Sequence, residues 1–350
     1  MFRVLQNSKS ALWHAKQPLQ QYNCLFRCQP RSPPRQQQER LLTSTATARP
    51  VPSLPSYPQH FLSCILSGFL APYWERSPTS EAAIAEIEAW LPTSTIGFDH
   101  VAFRTYGDID HLGIPSVSTL FQDLGYTEGG AFEFEKKKLR ARWFKPPHPL
   151  LPRLFVSELK VKELPPEAQR IIRRIAAPHA DVLGKYGITT GFFGLPPWEN
   201  LITSHEYKVL AGVSEYAAWV SVNGYALNHT TIAVHRLEGL QGGIAALNSH
   251  LTKQGIALSK EGGETKVSPD GLLLQSSTVA DTIEVTLADG ETMTVPGSYI
   301  EFAERLVLPE YAHVPGDQID EHHRRDGFEA ASADKIFEST TAAAKKLGVV

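Results

Sequence analysis

Cysteine is nearly missing from this chain of 350 residues, which has three, and two of those, Cys24 and Cys28, lie close to the N-terminus. Beyond them only Cys64 is left, so no disulfide framework holds a fold. The Cys24/Cys28 pair has no second Cys or His pair at the spacing of a zinc finger and is set aside as a metal site. Acidic residues are absent from Met1 to Gln38, where Arg3, Lys9, Lys16, Arg27, Arg31 and Arg35 are scattered among Ser, Gln and Pro. That composition predicts an import leader, with a plain disordered tail as the alternative, and it leaves plastid and mitochondrion both open. Long apolar runs are lacking too. Phe61 to Tyr73 is broken by Ser63, Ser67, Gly68 and Pro72, well short of the ~20 residues a membrane span needs. No excess of positive charge exists either: a net charge of -3 with 20% charged residues offers no field for a phosphate backbone, which argues against nucleic acid. A small, anionic ligand stays open.

What is present is core material, 42% of the residues being hydrophobic, ample for one large domain. Pro50, Pro52, Pro55 and Pro58 mark a linker, so residues 1–58 are expected to be leader and linker and 59–345 a single domain. Helical spacing is expected over Phe61–Phe69 and over Glu81–Leu91, the latter with Ser80 as N-cap. Ile96–Thr105 then alternates as a strand, Ser116–Leu124 reads as a helix, and Ala131–Phe144 and Leu154–Leu159 read as strands. A mostly helical stretch follows, after which the order recurs. Ala226–His235 is strand-like, Leu240–Gln254 is helical with Gly255 where a helix ends, and Gly271–Gln275, Thr282–Leu287, Thr292–Val295 and Tyr299–Arg305 are strands, with a hairpin turn at Asp289-Gly290.

Strand, helix, then strands therefore occur twice, over about 95–164 and 223–308, with a helical insertion at 165–222 and a C-terminal segment at 309–345. The expected fold is α+β: two duplicated βαβββ-type modules forming an open cup whose inward side chains meet.

Alternation decides which side chains those are. His100, Ala102 and Arg104 share one face of the first strand; His229 and Thr231 share one face of the strand that opens the second module; Tyr299, Glu301 and Ala303 share a face of the last. Arginine beside histidine is poor core chemistry without a partner, so an anion is expected next to Arg104. Two imidazoles and one carboxylate leave coordination positions free, which suits non-haem iron(II) better than the closed shell zinc prefers in structural sites. Other candidates read more simply. His235, beside Arg236, is expected in solvent, His322 and His323 form part of a solvated charge run, Glu133–Arg142 is an exposed strand face, and Tyr216, Trp219 and Tyr225 are core aromatics.

The strings FDHVAFRT, LNHTTIAVHR, SYIEFAER and SADKIFEST resemble the 2-oxoadipate dioxygenase/decarboxylase family of the vicinal-oxygen-chelate superfamily, including its plant plastid members. The resemblance runs from about Gly97 to Thr340. It implies the vicinal-oxygen-chelate cup and an Fe(2+) enzyme that converts 2-oxoadipate and O2 to D-2-hydroxyglutarate and CO2 in lysine breakdown, located in the plastid stroma. His100, His229 and Glu301 would then be the iron ligands, with the two histidines also facing substrate and Arg104 holding a substrate carboxylate. The family's further substrate contact falls on Ala331 and Ser332, where alanine replaces a larger aliphatic residue and leaves the backbone to make the contact. The partners implied are a 2-oxo dicarboxylic acid and O2, with no nucleic acid and no membrane. Rival readings are another enzyme of the same superfamily, or a member that binds metal or ligand in plastid metabolism without turnover.

Overall fold

The computed structural model describes residues 57–348 apart from Leu195. The leader and nearly all of the linker expected over 1–58 lie outside the described residues. Two helices come first, α1 (Tyr57–Arg76) and α2 (Pro78–Trp90). The second begins earlier than Ser80 because Pro78, which has no N–H to leave unpaired, takes the first turn after Ser77. Ser80 is thus inside the helix, where its hydroxyl meets Tyr73 Oη at 2.9 Å.

The first module follows as β1 (Phe98–Tyr106), α3 (Ile114–Asp123), β2 (Thr127–Phe134), β3 (Leu139–Lys145) and β4 (Arg153–Leu159). Lys138, in the left-handed region at φ 56°, closes the tight turn between β2 and β3. The insertion comprises α4 (Pro166–Leu183), a run of tight turns over Gly184–Phe193, α5 (Ser204–Val213) and α6 (Glu215–Asn223). Thr203 and Glu206 form a reciprocal cap that starts α5. Then come β5 (Leu227–Ala233), α7 (Gly243–Lys253), β6 (Lys266–Val267), β7 (Leu273–Ser277), β8 (Thr282–Thr286), β9 (Thr292–Pro296) and β10 (Tyr299–Arg305), and finally α8 (Ala330–Ile336) and α9 (Glu338–Lys346).

Eight of the strands make one curled open sheet in the order β2-β3-β4-β1-β5-β10-β7-β6. From the central antiparallel β1–β5 seam the two halves run outward alike. Each has a parallel neighbour first, β4 or β10, and then two antiparallel strands. This is the duplicated cup the element order predicts, with one correction. β8 and β9 pair only with each other in a separate sheet, and the strand that completes the second module is the two-residue β6. The β8–β9 hairpin has the period of a sheet strand, and its apolar face pairs Ile283 with Val295 and Val285 with Met293, but neither of its strands bonds to a strand of the cup.

β1, β5 and nearly all of β10 are buried, on both faces. The outer face is covered by α1, α3 and α7: Phe103 packs on Phe69 and Phe121, and Ser276 donates to Asn248 at 2.7 Å. The inner face is closed by α6, α8 and α9, through Arg104 to Thr340 and Ser277 to Ser339. The hollow of the cup therefore lies between the seam and the C-terminal helices.

Candidate active site

Sheet register brings the three expected ligands together. His229 sits opposite Ala102, next along β1 from His100 on the same face, and Glu301 sits opposite Thr231. Glu301 Oε2 is 3.3 Å from His229 Nε2 and 3.6 Å from His100 Nε2, and ligand atoms of all three residues lie within 4.8 Å of one another. All three side chains are buried.

Each ligand is held from behind. His100 Nδ1 lies 2.8 Å from Asp99 Oδ1, and His229 Nδ1 lies 3.1 Å from Asn228 Oδ1. Because these oxygens are acceptors, Nδ1 carries a proton in both rings and each Nε2 is turned toward Glu301, that of His100 also lying 3.0 Å from Thr231 Oγ1. Gln275 Nε2 donates to Glu301 Oε1 at 2.5 Å, which leaves Oε2 buried with no hydrogen-bond partner among the described residues. Asp99 is itself anchored by Arg305 at 2.6 and 2.9 Å and by Arg153 at 3.5 Å. Burial alone would raise its pKa, but Arg305 and Arg153 hold it well below the carboxylate range.

Burial likewise opposes charge on His100, yet Glu301 and Asp99 outweigh it and push its pKa above the usual histidine value. His229 goes the other way: burial, then the charges of His100 and Arg104, hold it well below that value, so it stays neutral. An orphaned carboxylate oxygen facing two imidazole nitrogens, in a pocket that draws in a proton, fits a divalent cation. Its place would be among His100, His229 and Glu301, with further coordination positions open toward the hollow.

The hollow is small, about 20 Å³, and is lined by the triad with Phe155, Gln275, Phe328, Ala333, Ile336 and Phe337. Ala331 faces solvent and Ser332, although buried, is not in the lining. The residues of α8 that line the hollow are Ala333 and Ile336, which share a helix face at i, i+3 spacing.

Arg104 is 1% exposed, and the anion expected beside it belongs to the chain itself. Its guanidinium donates to Glu215 Oε2 at 3.4 Å and to Thr340 Oγ1 at 2.9 Å, and it lies 4.8 Å from the Tyr216 ring centre and 5.3 Å from that of Trp219. Arg104 Nε and Glu215 Oε1 stay without hydrogen-bond partners among the described residues. His235 corrects a second expectation: it is withdrawn from solvent at the strand end, with Nε2 3.0 Å from Glu321 Oε1 and Nδ1 accepting from the Arg305 amide. His322 remains exposed as expected, whereas His323 lies mostly covered beside Tyr311. With Asp320 these two form the other group of metal-capable side chains among the described residues. Asp99, Asn228, Gln275 and Glu215 were missed by reading single residues, although a hydrogen-bonding Asp or Asn directly before each strand histidine is a visible signal.

The family model of 2-oxoadipate dioxygenase/decarboxylase matches residues 81–314. This chain belongs to that family. A rice (Oryza sativa subsp. japonica) relative named as chloroplastic/amyloplastic 2-oxoadipate dioxygenase/decarboxylase is 45% identical over 312 residues, 86% of this chain and 85% of the relative. An Arabidopsis thaliana relative named as the chloroplastic form is 46% identical over 295 residues, 81% of this chain and 78% of its own. Among solved structures, the hydroxyglutarate synthase of Oryza sativa in complex with 2-oxoadipate superposes with a TM-score of 0.78 at 44% identity, covering 86% of this chain and 99% of that one. A Ralstonia eutropha structure assigned to the glyoxalase superfamily has a TM-score of 0.62 at 20% identity, with 80% of this chain and 91% of that one covered, a likeness of fold alone.

Proposed function

We propose that the chain is an iron(II)-dependent dioxygenase that decarboxylates 2-oxoadipate with O2, yielding D-2-hydroxyglutarate and CO2. The observation that carries this reading is the buried triad of His100, His229 and Glu301, whose open side faces an apolar hollow. Its strength comes from family membership together with that geometry. Iron is preferred because two histidines and one carboxylate leave room for both a chelating 2-oxo acid and oxygen. The metal would supply a binding point for the carboxylate and keto oxygens and the activation of O2.

The chain's own residues account for the rest. Asp99, Asn228 and Gln275 orient the ligands, so that no reorganisation is needed when the metal binds. Phe155, Phe328, Ile336 and Phe337 exclude water from the reacting atoms. Arg104, bonded to Glu215 and Thr340, would exchange Glu215 for the far carboxylate of the substrate, to which it offers a planar, permanently charged fork. A hollow of about 20 Å³ admits roughly one water, so the side chains from Phe328, Ala333, Ile336 and Phe337 must yield for a six-carbon acid to enter. The leader composition and the plastid relatives favour residues 1–58 as a plastid import segment ahead of a catalytic domain spanning 59–345, with lysine breakdown as the setting.

The test is anaerobic loading with iron(II), followed by oxygen and a panel of 2-oxo acids, with oxygen uptake and CO2 release measured together. The reading requires one CO2 released per O2 consumed and 2-oxoadipate among the best substrates. A metal-loaded sample that turns over none of the acids would favour a binding protein on the same fold.

A further inference from the structure

Lys266 lies on the edge strand β6, yet it is only 5% exposed, and its ammonium nitrogen has no hydrogen-bond partner among the described residues. Register shows which way it faces. Lys266 pairs with Gln275 across β6–β7, and Gln275 pairs with Ala303 across β7–β10, on the face that Glu301 shares. Lys266 thus shares the inner face of the sheet with Glu301, two strands away and behind Gln275, which lines the hollow. Gln275 stands between the two, giving its N–H to Glu301 while its own Oε1 has no partner. Burial draws the pKa of Lys266 down, and Glu301 is the acid that most strongly opposes this, ahead of Glu261 and Glu264.

The other cations around the triad are already matched. Arg305 and Arg153 face Asp99, and Arg104 faces Glu215. An ammonium withdrawn from water without a partner is costly, and the cost is recovered when an anion reaches it. Arg104 stands on the far flank, four residues beyond His100, about 13 Å along β1 at ~3.3 Å per residue.

We propose that Lys266 is a further substrate-binding residue, which takes the carboxylate at the 2-oxo end of the acid beside the metal ligands and leaves the far carboxylate of a dicarboxylic substrate to Arg104. This rests on the reading of the hollow as a 2-oxo acid site. It divides recognition in two: Lys266 serves every 2-oxo acid, and Arg104 selects those with a second carboxylate.

The experiment is calorimetric binding, without oxygen, of 2-oxoadipate and of 2-oxohexanoate, its analogue lacking the far carboxylate, to the full chain loaded with iron(II). Lys266→Met should weaken both acids by the same factor, about tenfold or more for one charge-assisted contact, leaving the preference for 2-oxoadipate intact. Lys266→Arg should restore most of the loss. Metal content before acid is added should match wild type, and the melting temperature should not fall, since an unpartnered buried charge has been removed. Unchanged binding of both acids would overturn the proposal, with water as the partner of the ammonium. Loss of the preference alone would also overturn it, as would a fall in metal content, which would make Lys266 a positioning residue for Glu301. If wild type takes up neither acid, the 2-oxo acid reading itself fails and Lys266 falls with it.

Discussion

The two halves of the cup are built alike and loaded differently. In each, a central strand opens with a histidine whose Nδ1 is held by the residue before it, Asp99 for His100 and Asn228 for His229. Each central strand has a parallel neighbour, and two residues past the histidine the register meets that neighbour at Glu301 in the second half and at Phe155 in the first. Both line the hollow. Duplication thus offers four matched inward places, and three carry metal-capable groups. The fourth is an aromatic ring, Phe155, which has no group to offer a metal. The support differs as well: Asp99 is tied to Arg305 and Arg153, and through Arg153 to Asp326 and Glu321, whereas Asn228 is neutral.

Restoring the symmetry should have the largest effect. Phe155→Glu would place a second carboxylate at the matched position, and metal should be retained while oxygen uptake with 2-oxoadipate falls by about two orders of magnitude or more, because the positions for chelation are filled. Turnover within a few-fold of wild type would show that Phe155 does not border the reacting atoms. Next, Asp99→Asn and Asn228→Ala should each lower metal affinity by roughly 10–100-fold. Asp99→Asn should also cost about 3–5 kcal/mol of stability by stranding Arg305 and Arg153; urea unfolding that shows equal losses for the two variants would erase the distinction between the halves. Arg104→Lys should keep the metal and raise KM for 2-oxoadipate about tenfold, through loss of the planar fork; loss of metal would place Arg104 among the metal supports instead.

The smallest effect concerns acid. Asp99 and Glu321 both have depressed pKa values when folded, despite burial, because of Arg305 and Arg153 in one case and His235 and Arg236 in the other. The unfolded chain therefore binds protons first as pH falls, and their stabilisation, complete above about pH 5, drains away below it at up to ~1.4 kcal/mol per pH unit for each group. Glu321→Gln should flatten the fall in unfolding free energy between pH 5 and pH 3, and an unaltered slope would remove Glu321 from the account.

Strand period and residue chemistry were sufficient to find His100, His229, Glu301 and Arg104 in the sequence, since side chains two apart share a face whatever the tertiary contacts. The same logic could not separate β8–β9 from a cup strand, because a free hairpin has the same period. Nor could it find β6, whose two residues are too few to show one, and so Lys266 stayed hidden. The burial of His235 depends on Glu321, and that of Arg104 depends on its ion pair with Glu215 and its hydrogen bond to Thr340, partners distant in sequence that no local pattern announces. Ala331 and Ser332 were placed by resemblance, and on α8 it is Ala333 and Ile336 that line the hollow.

The central claim is tested most directly by the metal-to-chain ratio after anaerobic iron(II) loading and gel filtration, in wild type and in His100→Ala, His229→Ala and Glu301→Ala. One metal per chain in wild type and none in each variant is the predicted result. Full retention by the variants, or its loss on His322→Ala in place of them, would contradict it.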